Sequence, residues 1–366
     1  MFDLDHWREI YNALSANKLR TFLTAFGVFW GILMLMVMLG SGSGLENGVN
    51  QGFADNATNS FWVWSQRTSM PYRGLPRGRP LQLTNDDTEA IRRQVPEVGV
   101  LAPRNQLGGW RGGNNVMRGK NAGAFSVFGD QPQIMDVEPV RITEGRFLNR
   151  FDVDERRKIA VLGPRVVEVL FEEGEEPIGG HIRINGVYFK VVGLFEPIDP
   201  DDQQEQESIY VPFTTFQKAF NTGNRVNWFA ITSQDGVPAS VAEEKVLQLL
   251  RRRHRVHPDD ERAFGHFNLE EEYDQVQGLF LGISTLIWIV GVGTLAAGVI
   301  GVSNIMLVIV RERTHEIGVR RAIGASPGSI MGQIILEAIL LTSVAGYVGL
   351  IAGMGLMDLA ANLLAA

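Results

Sequence analysis

Val310 to Ile330 reads VRERTHEIGVRRAIGASPGSI. It is dense in charge, punctuated by glycine and proline, and set between two of the most apolar segments of the chain. Thr314 stands where a helix N-cap belongs, and Glu316 precedes Arg320 by four residues, the favourable order for a helical ion pair. Val319, Ala322 and Ile323 fall on one side of such a helix. Gly324 suits the left-handed position just past a helix end, Ser326 is placed to cap the next helix, and Pro327 fits its first turn. A bare connection between two spans needs only about five residues. A short amphipathic helix with built-in stops therefore reads as a docking element held against a membrane face.

The flanks decide the class. Gln275 to Val310 carries no charge, and as a straight helix it would measure about 54 Å, more than the roughly 30 Å of bilayer hydrocarbon. Either it kinks at Gly282, Gly291, Gly293, Gly298 and Gly301, or one end stands outside the membrane as a stalk. A third segment, about Ile330 to Met357, is broken only by Glu337, roughly 10 Å from its start. Near the N-terminus, Thr21 to Gly40 is also free of charge and long enough to span. Lys and Arg cluster before the first span (Arg8, Lys18, Arg20) and between the second and third (Arg311, Arg313, Arg320, Arg321), so both regions are expected to be cytoplasmic. Leu4, Trp7, Tyr11 and Leu14 recur at helical spacing and predict an interfacial amphipathic helix over 1–20.

The expected organisation is thus an α-helical membrane protein with a large extracytoplasmic α+β domain. The first span covers 21–41, the outer domain 42–274, a stalk and second span 275–310, a cytoplasmic helical connection 311–329, the third span 330–357, and an outer tail 358–366. Within the domain, TNDDTEAIRRQV reads as a helix capped by Thr84 or Asn85, with Ala90, Ile91 and Val95 facing inward. KIAVLG reads as a buried strand, and Asn185-Gly186 in HIRINGVYFKVVGLF as a hairpin turn. ASVAEEKVLQLLRRRHRV reads as a long amphipathic helix with Val241, Val246, Leu247, Leu249 and Leu250 apolar. Helix–strand units flank a β-rich insert over about 136–211.

Several function classes find no support. A net charge of −7 offers no nucleic-acid footprint. The absence of cysteine excludes disulfides and thiolate-held metals. RGKN at Arg118 to Asn121 imitates the end of a phosphate-binding loop, but Asn114 and Asn121 replace the glycine and hydroxyl that the motif needs. His254 and His257, beside three arginines, read as a solvated helix end rather than a metal site, and the acidic run Glu196 to Glu207 as a solvated loop. No catalytic constellation, metal site or cofactor site is expected in this chain. Glu337, an intramembrane carboxylate, is either a near-interface group bonded to a neighbouring helix or a coupling group. Gly27 and Gly31, Ala297 and Gly301, and Gly349 and Gly353 are small residues spaced by four, suited to helix packing or dimer contact.

SNIMLVIVRERTHEIGVRRAIGAS and GQIILEAILLTSVAGYVGLIAGMG together resemble the MacB/FtsX-like permease family of ABC transporters. So do NALSANKLRTFLTAFGVFWGI, EGRFLNRFDVDERRKIAVLGPRVVEVLF, PIGGHIRINGVYFKVVGLFEP and IYVPFTTFQ, so the resemblance covers nearly the whole chain. It implies a porter-like α/β part beside the β-rich insert, and a second permease copy in a homodimer or a heterodimer. It also implies a cytoplasmic ABC ATPase, carrying ATP and Mg, that docks on Thr314, His315, Glu316, Ile317, Gly318, Arg320, Arg321, Ala322, Gly324 and Ala325. ATP hydrolysis would move the outer domain by mechanotransmission, in a bacterial inner membrane, for drug, peptide or lipoprotein export with a periplasmic adaptor or outer-membrane partner. A membrane-tethered regulator or scaffold of the same family is the alternative. The family has four spans, and the chain stops at ANLLAA after the third, so a fourth is expected to be missing by truncation.

Overall fold

In SFWVWS, Ser60 to Ser65, alternate residues face opposite ways: Phe61 and Val63 are fully buried in one core, while Trp62 packs on the other side of the strand. The structure, a computed structural model, describes residues 18–53, 57–108 and 115–364. The interfacial helix expected over 1–20 lies almost wholly outside the described residues. The chain divides into two compact units, Asn50–Val276 and the segments on either side of it.

The chain order is α1 (Lys18–Phe53), β1 (Ser60–Ser65), β2 (Leu83–Thr84), α2 (Asn85–Gln94), β3 (Val98–Gly108), β4 (Val116–Arg118), β5 (Asn121–Gly123) and β6 (Ser126–Asp130). Then come β7 (Arg141–Gly145), α3 (Arg150–Asp154), β8 (Ile159–Leu162), α4 (Pro164–Leu170), β9 (His181–Ile184), β10 (Val187–Glu196), α5 (Gln203–Gln206), β11 (Ser208–Pro212) and α6 (Phe213–Ala219). β12 (Arg225–Val226), β13 (Trp228–Ser233), α7 (Ala239–Arg253), β14 (Phe264–Asn268), α8 (Leu269–Glu312), α9 (Thr314–Ala322) and α10 (Pro327–Leu364) complete it.

Asn50–Val276 is built on a large sheet, β14-β1-β13-β3-β6-β11-β8-β10-β9-β4-β5, with β7 also paired to β10, and β2 and β12 form a separate antiparallel pair. The first four strands of the large sheet are all antiparallel, and α2 and α7 follow the first and third of them in sequence. Both helices press their apolar side on Phe61, Val63, Phe229 and Ile231. This is a split β-α-β arrangement, interrupted between β3 and β13 by everything else in the sheet. The interruption is larger than the expected insert of about 136–211. It begins where β3 itself leaves β13 at Arg104 and takes up β6 at Asn105, and it includes β4, β5 and β6. One strand shared by both halves leaves no break in composition for a sequence reading to find.

Local chemistry accounts for the individual elements. Thr84 caps α2 in a capping box completed by Asp87, and Ala90, Ile91 and Val95 are buried beneath it. Asn185 and Gly186 have φ of 44° and 87° between β9 and β10, the twist-matched turn that joins two antiparallel strands with two residues. In α7, Val246, Leu247, Leu249 and Leu250 are buried as expected, but Val241 is 42% exposed, because the fully buried Ala239 and Ala242 are the inward positions of the first turn and Val241 falls on the opposite side of the helix. RGKN is the β4–β5 turn. The acidic run is not wholly solvated: α5 turns Glu205 inward, where Tyr210 Oη donates to it at 2.6 Å. Burial pushes the Glu205 carboxyl up to about 7.

At the crossing point of β3, Arg104 is 4% exposed on its side chain and donates to both Asp130 oxygens at 2.8 and 3.0 Å. Its third partner is Glu138, which also accepts from Trp62 Nε1 at 2.7 Å. The guanidinium lies over Phe128 at 4.5 Å and Trp228 at 5.6 Å. Burial raises the Asp130 carboxyl, to about 6, while Arg104 pulls the other way. The cluster joins β1, β3, β6, β13 and the segment after the short 3-10 turn Pro132–Asp136, and so stitches the two halves together.

Among the described residues, the helical unit holds three helices long and apolar enough to cross a membrane. Each is longer than the apolar segment that marked it. α1 has 36 residues, α8 has 44 and α10 has 38, or about 54, 66 and 57 Å. Backbone bonding carries a helix on past the last apolar residue, through SGSGLENG in α1 and through the acidic first turn of α8.

Candidate functional site

α9 is fixed at both ends by short-range bonds. Thr314 does not cap it: its Oγ1 donates back to the carbonyls of Val310 and Arg311 at 3.2 and 2.8 Å, and Arg313 occupies the cap position. A threonine one residue late, just after a helix that has not unwound, finds free carbonyls behind it before it finds free N–H groups ahead. At the other end Gly324 has φ of 109°, and the amides of Ala325 and Gly324 donate to Arg320 and Arg321 at 3.0 and 3.1 Å. Those are the two bonds of a Schellman stop. Ser326 Oγ then accepts from the Ser329 amide at 3.3 Å, with Pro327 in the first turn of α10.

The charged side of α9 is the side that is tied down. Glu316 and Arg320 pair at 2.9 Å, and Arg320 also donates to Gln333 of α10 at 2.9 Å. Arg313 lies 3.4 Å from Glu316 and 3.4 Å from both oxygens of Glu337, whose side chain is 4% exposed. Glu337 is thus bonded to the segment that precedes α9. Val319 and Ile323, by contrast, are 46% and 82% exposed, Ala322 is exposed between them, and no residue of α9 is buried. Glu316 and Arg320, with half-buried Ile317 beside them, thus lie toward the protein's own chain, while Val319, Ala322 and Ile323 face outward. His315, Gly318 and Arg321 are exposed, and Ile317 and Ala325 are half-buried. Arg313 and Gln333 were missed as site residues. Gln333 and Glu337, spaced by four on one helix, were the available signal.

The small residues of the spans divide by role. A side chain at Gly349 would meet the Phe29 carbonyl at 2.8 Å, at Gly353 Met36 at 2.9 Å, and at Gly31 Thr294 at 3.3 Å, so α1 is closely approached by α10 and α8 at these points. Gly291 and Gly346 also close on α1, at Leu35 and Ile32. Gly27 and Gly301 face open space, and Ala297 is exposed. Gly27 and Gly31 border an apolar groove of about 460 Å³ with Thr294, Gly298 and Thr342.

Two histidines, His254 and His266, have carboxylate partners. His254 Nε2 lies 3.0 Å from Asp87 Oδ2 beside Arg253, whose Nε donates to Asp87 at 2.7 Å, and His266 pairs with Glu243. Burial raises the Asp87 carboxyl, but the bonds from His254 and Arg253 outweigh it and bring it down to about 2.

Residues 21–249 match the MacB-like periplasmic core domain, and residues 288–365 match the FtsX-like permease C-terminal region. The chain is 27% identical to the macrolide export ATP-binding/permease protein MacB of Syntrophobacter fumaroxidans, over 99% of this chain and 58% of that protein. It is 31% identical to the pyoverdine export ATP-binding/permease protein PvdT of Pseudomonas putida, over 95% of this chain and 51% of the relative. It thus spans little more than half the length of these relatives. The crystal structure of the periplasmic region of MacB from Actinobacillus actinomycetemcomitans overlays 61% of this chain and 95% of its own, at 21% identity and a TM-score of 0.49. With the periplasmic core matched over more than half of its length and the permease region over most of the rest, the chain belongs to the MacB/FtsX-like family of ABC transporter permeases.

Proposed function

We propose that this chain is the membrane subunit of an exporter in a bacterial cytoplasmic membrane, and that α9 is where a separate cytoplasmic ATPase docks. The observation that carries the reading is the sidedness of α9: an exposed apolar side of Val319, Ala322 and Ile323, backed by Glu316 and Arg320, which are tied to α10 directly at Gln333 and, through Arg313, at Glu337. A partner that closes on the apolar side can move α10 through those ties. The excess of Lys and Arg around this segment supports its cytoplasmic placement. ATP and Mg would be held by the partner, so this chain is not an enzyme by itself, and hydrolysis there would move the extracytoplasmic domain. Two permease copies, identical or not, would assemble with a periplasmic adaptor or outer-membrane partner to export or extract a drug, peptide or lipoprotein. Relatives named for macrolide and pyoverdine export support the export reading.

The test is a pull-down of the permease in detergent, with native sequence or with 314–325 replaced by a Gly/Ser linker, followed by mass spectrometry. An ABC ATPase recovered with the native segment alone is the expected result. Recovery with both, or with neither, overturns the docking role. Substrate-stimulated hydrolysis in the recovered complex separates transport from a regulatory or scaffolding task.

A further inference from the structure

The C-terminal end of α7 and the hairpin before β2 form a basic cleft that the exporter reading does not use. Its volume is about 660 Å³, within the range of small-molecule sites. Four arginines line it, Arg73, Arg251, Arg252 and Arg255, in a chain whose net charge is −7. Cations in the last turn of a helix are often explained by the helix dipole alone. That explanation covers Arg251 and Arg252 but not Arg255, which lies past the helix end, nor Arg73, which comes from a different segment.

The carboxylates do not neutralise the cleft. Glu244 approaches Arg251 at 3.5 Å, and Asp259 is 3.8 Å from His257. Among the described residues, no carboxylate pairs with Arg73, Arg252 or Arg255. Arg251 is 13% exposed on its side chain, and its Nε is buried with no hydrogen-bond partner. Arg73 and Arg255 are both held at positive φ, 48° and 51°, a region that long side chains seldom occupy. The Tyr72–Leu75 turn fixes the first, and Arg79, donating to the carbonyls of His254 and Arg255 at 2.7 and 3.3 Å, fixes the second.

We propose that this cleft binds a phosphate monoester, its oxygens taken by the guanidinium groups of Arg73, Arg252 and Arg255. Guanidinium forks match phosphate oxygens two at a time, and a monoester near neutral pH carries about −1.5 to −2 charges on three acceptor oxygens. Three unpaired arginines call for a ligand with more than one negative charge. The ligand is either a free phosphorylated solute or the headgroup of a phosphomonoester lipid.

The test is phenylglyoxal labelling of arginines on the full chain, read peptide by peptide by mass spectrometry. In neutral detergent, saturating glycerol 3-phosphate is expected to slow labelling of Arg73, Arg252 and Arg255 by about tenfold. Sodium chloride of equal ionic strength should not, and Arg150, 89% exposed on its side chain, should be unaffected. A second arm compares the chain in phosphatidylcholine nanodiscs with and without phosphatidic acid. Protection by glycerol 3-phosphate supports the site with a soluble ligand, and protection confined to phosphatidic acid supports it with a lipid headgroup. No protection in either arm, or equal protection of Arg150, overturns it. In a variant with Arg73→Asn and Arg255→Asn, which keeps a residue tolerant of positive φ at both turns, protection of Arg252 should be lost with the melting temperature unchanged. Protection of Arg252 undiminished in that variant would also overturn the assignment.

Discussion

Arg104 and Arg313 each sit between two carboxylates, and they are built differently. Arg104 is nearly sealed from solvent, grips Asp130 with both arms of its guanidinium at 2.8 and 3.0 Å, and is walled by aromatic rings. Arg313 is 28% exposed, reaches Glu337 at 3.4 Å and shares itself with Glu316 at the same distance. The first arrangement has one geometry and no spare partner, as suits a fixed joint between two halves of a sheet. The second is long and divided between a short helix and a span, so one contact can lengthen while the other shortens. One arginine holds shape, and under the proposed docking the other would pass displacement on.

The fixed joint depends most heavily on Arg104. Arg104→Met leaves Asp130, fully buried, and Glu138 without their cation, a change expected to cost about 3–5 kcal/mol of stability. Trp62 and Trp228 border the cluster and report its loss by fluorescence in a denaturant titration. A cost under about 1 kcal/mol would mean that the joint is held by strand pairing alone.

The next effect is a pH dependence. The carboxyl of Glu205, raised by burial from 4.5 to about 7, stays protonated in the folded domain at a pH where the unfolded chain has released the proton. Its contribution to stability is therefore full below about 4.5 and lost as pH rises through about 7, up to about 3 kcal/mol in all. Glu205→Gln should flatten that part of the profile. Asp87 runs the other way: held down at about 2, it contributes stability above its ordinary value of 3.8 that is lost as pH falls through 2, and Asp87→Asn should remove the acid limb. An unchanged profile in either variant, measured by thermal melts across the pH range, would show that these groups do not carry it.

How much of this was legible in the sequence depends on the reach of the interaction. The Asn185-Gly186 turn, the Thr84 cap and the Gly324 stop are local, and residue type alone indicated them. Thr314 failed as a cap because its role depends on whether the preceding helix has ended, which a four-residue window does not show. The size of the insert failed for a larger reason: β3 belongs to both halves, and only the pairing of Asn105 with Gly129 reveals it. Arg104, Asp130 and Glu138 had no signal at all, since three charged residues far apart in sequence look like surface until the sheet brings them together. Glu337 was visible as a charge in an apolar run, but its partner Arg313 looked like one more membrane-flanking cation.

Glu337→Gln acts on the looser of the two arginine sites. The tie is long and shared, so the loss of stability should be modest, about 1 kcal/mol. The permease should still recover its ATPase, and hydrolysis in the complex should respond less to substrate, because α9 can then shift without pulling α10. Full stimulation in that variant would remove Glu337 from the path.

The smallest expected change in folding belongs to Ile323→Asp. Ile323 is 82% exposed and touches no core, so the substitution should alter stability by no more than about 0.5 kcal/mol. A carboxylate placed there puts a charge into the apolar side that docking would have to desolvate, and burying an unpaired charge against a partner is costly. Recovery of the ATPase should therefore fall about tenfold or more while the melting profile stays put. Val319→Asp, at 46% exposure on the same side, should act in the same direction. If both variants keep the ATPase, docking does not use the apolar side, and the exposed polar side chains of Arg321 and His315 become the surface to test, because Glu316 and Arg320 are already occupied by each other, by Arg313 and by Gln333.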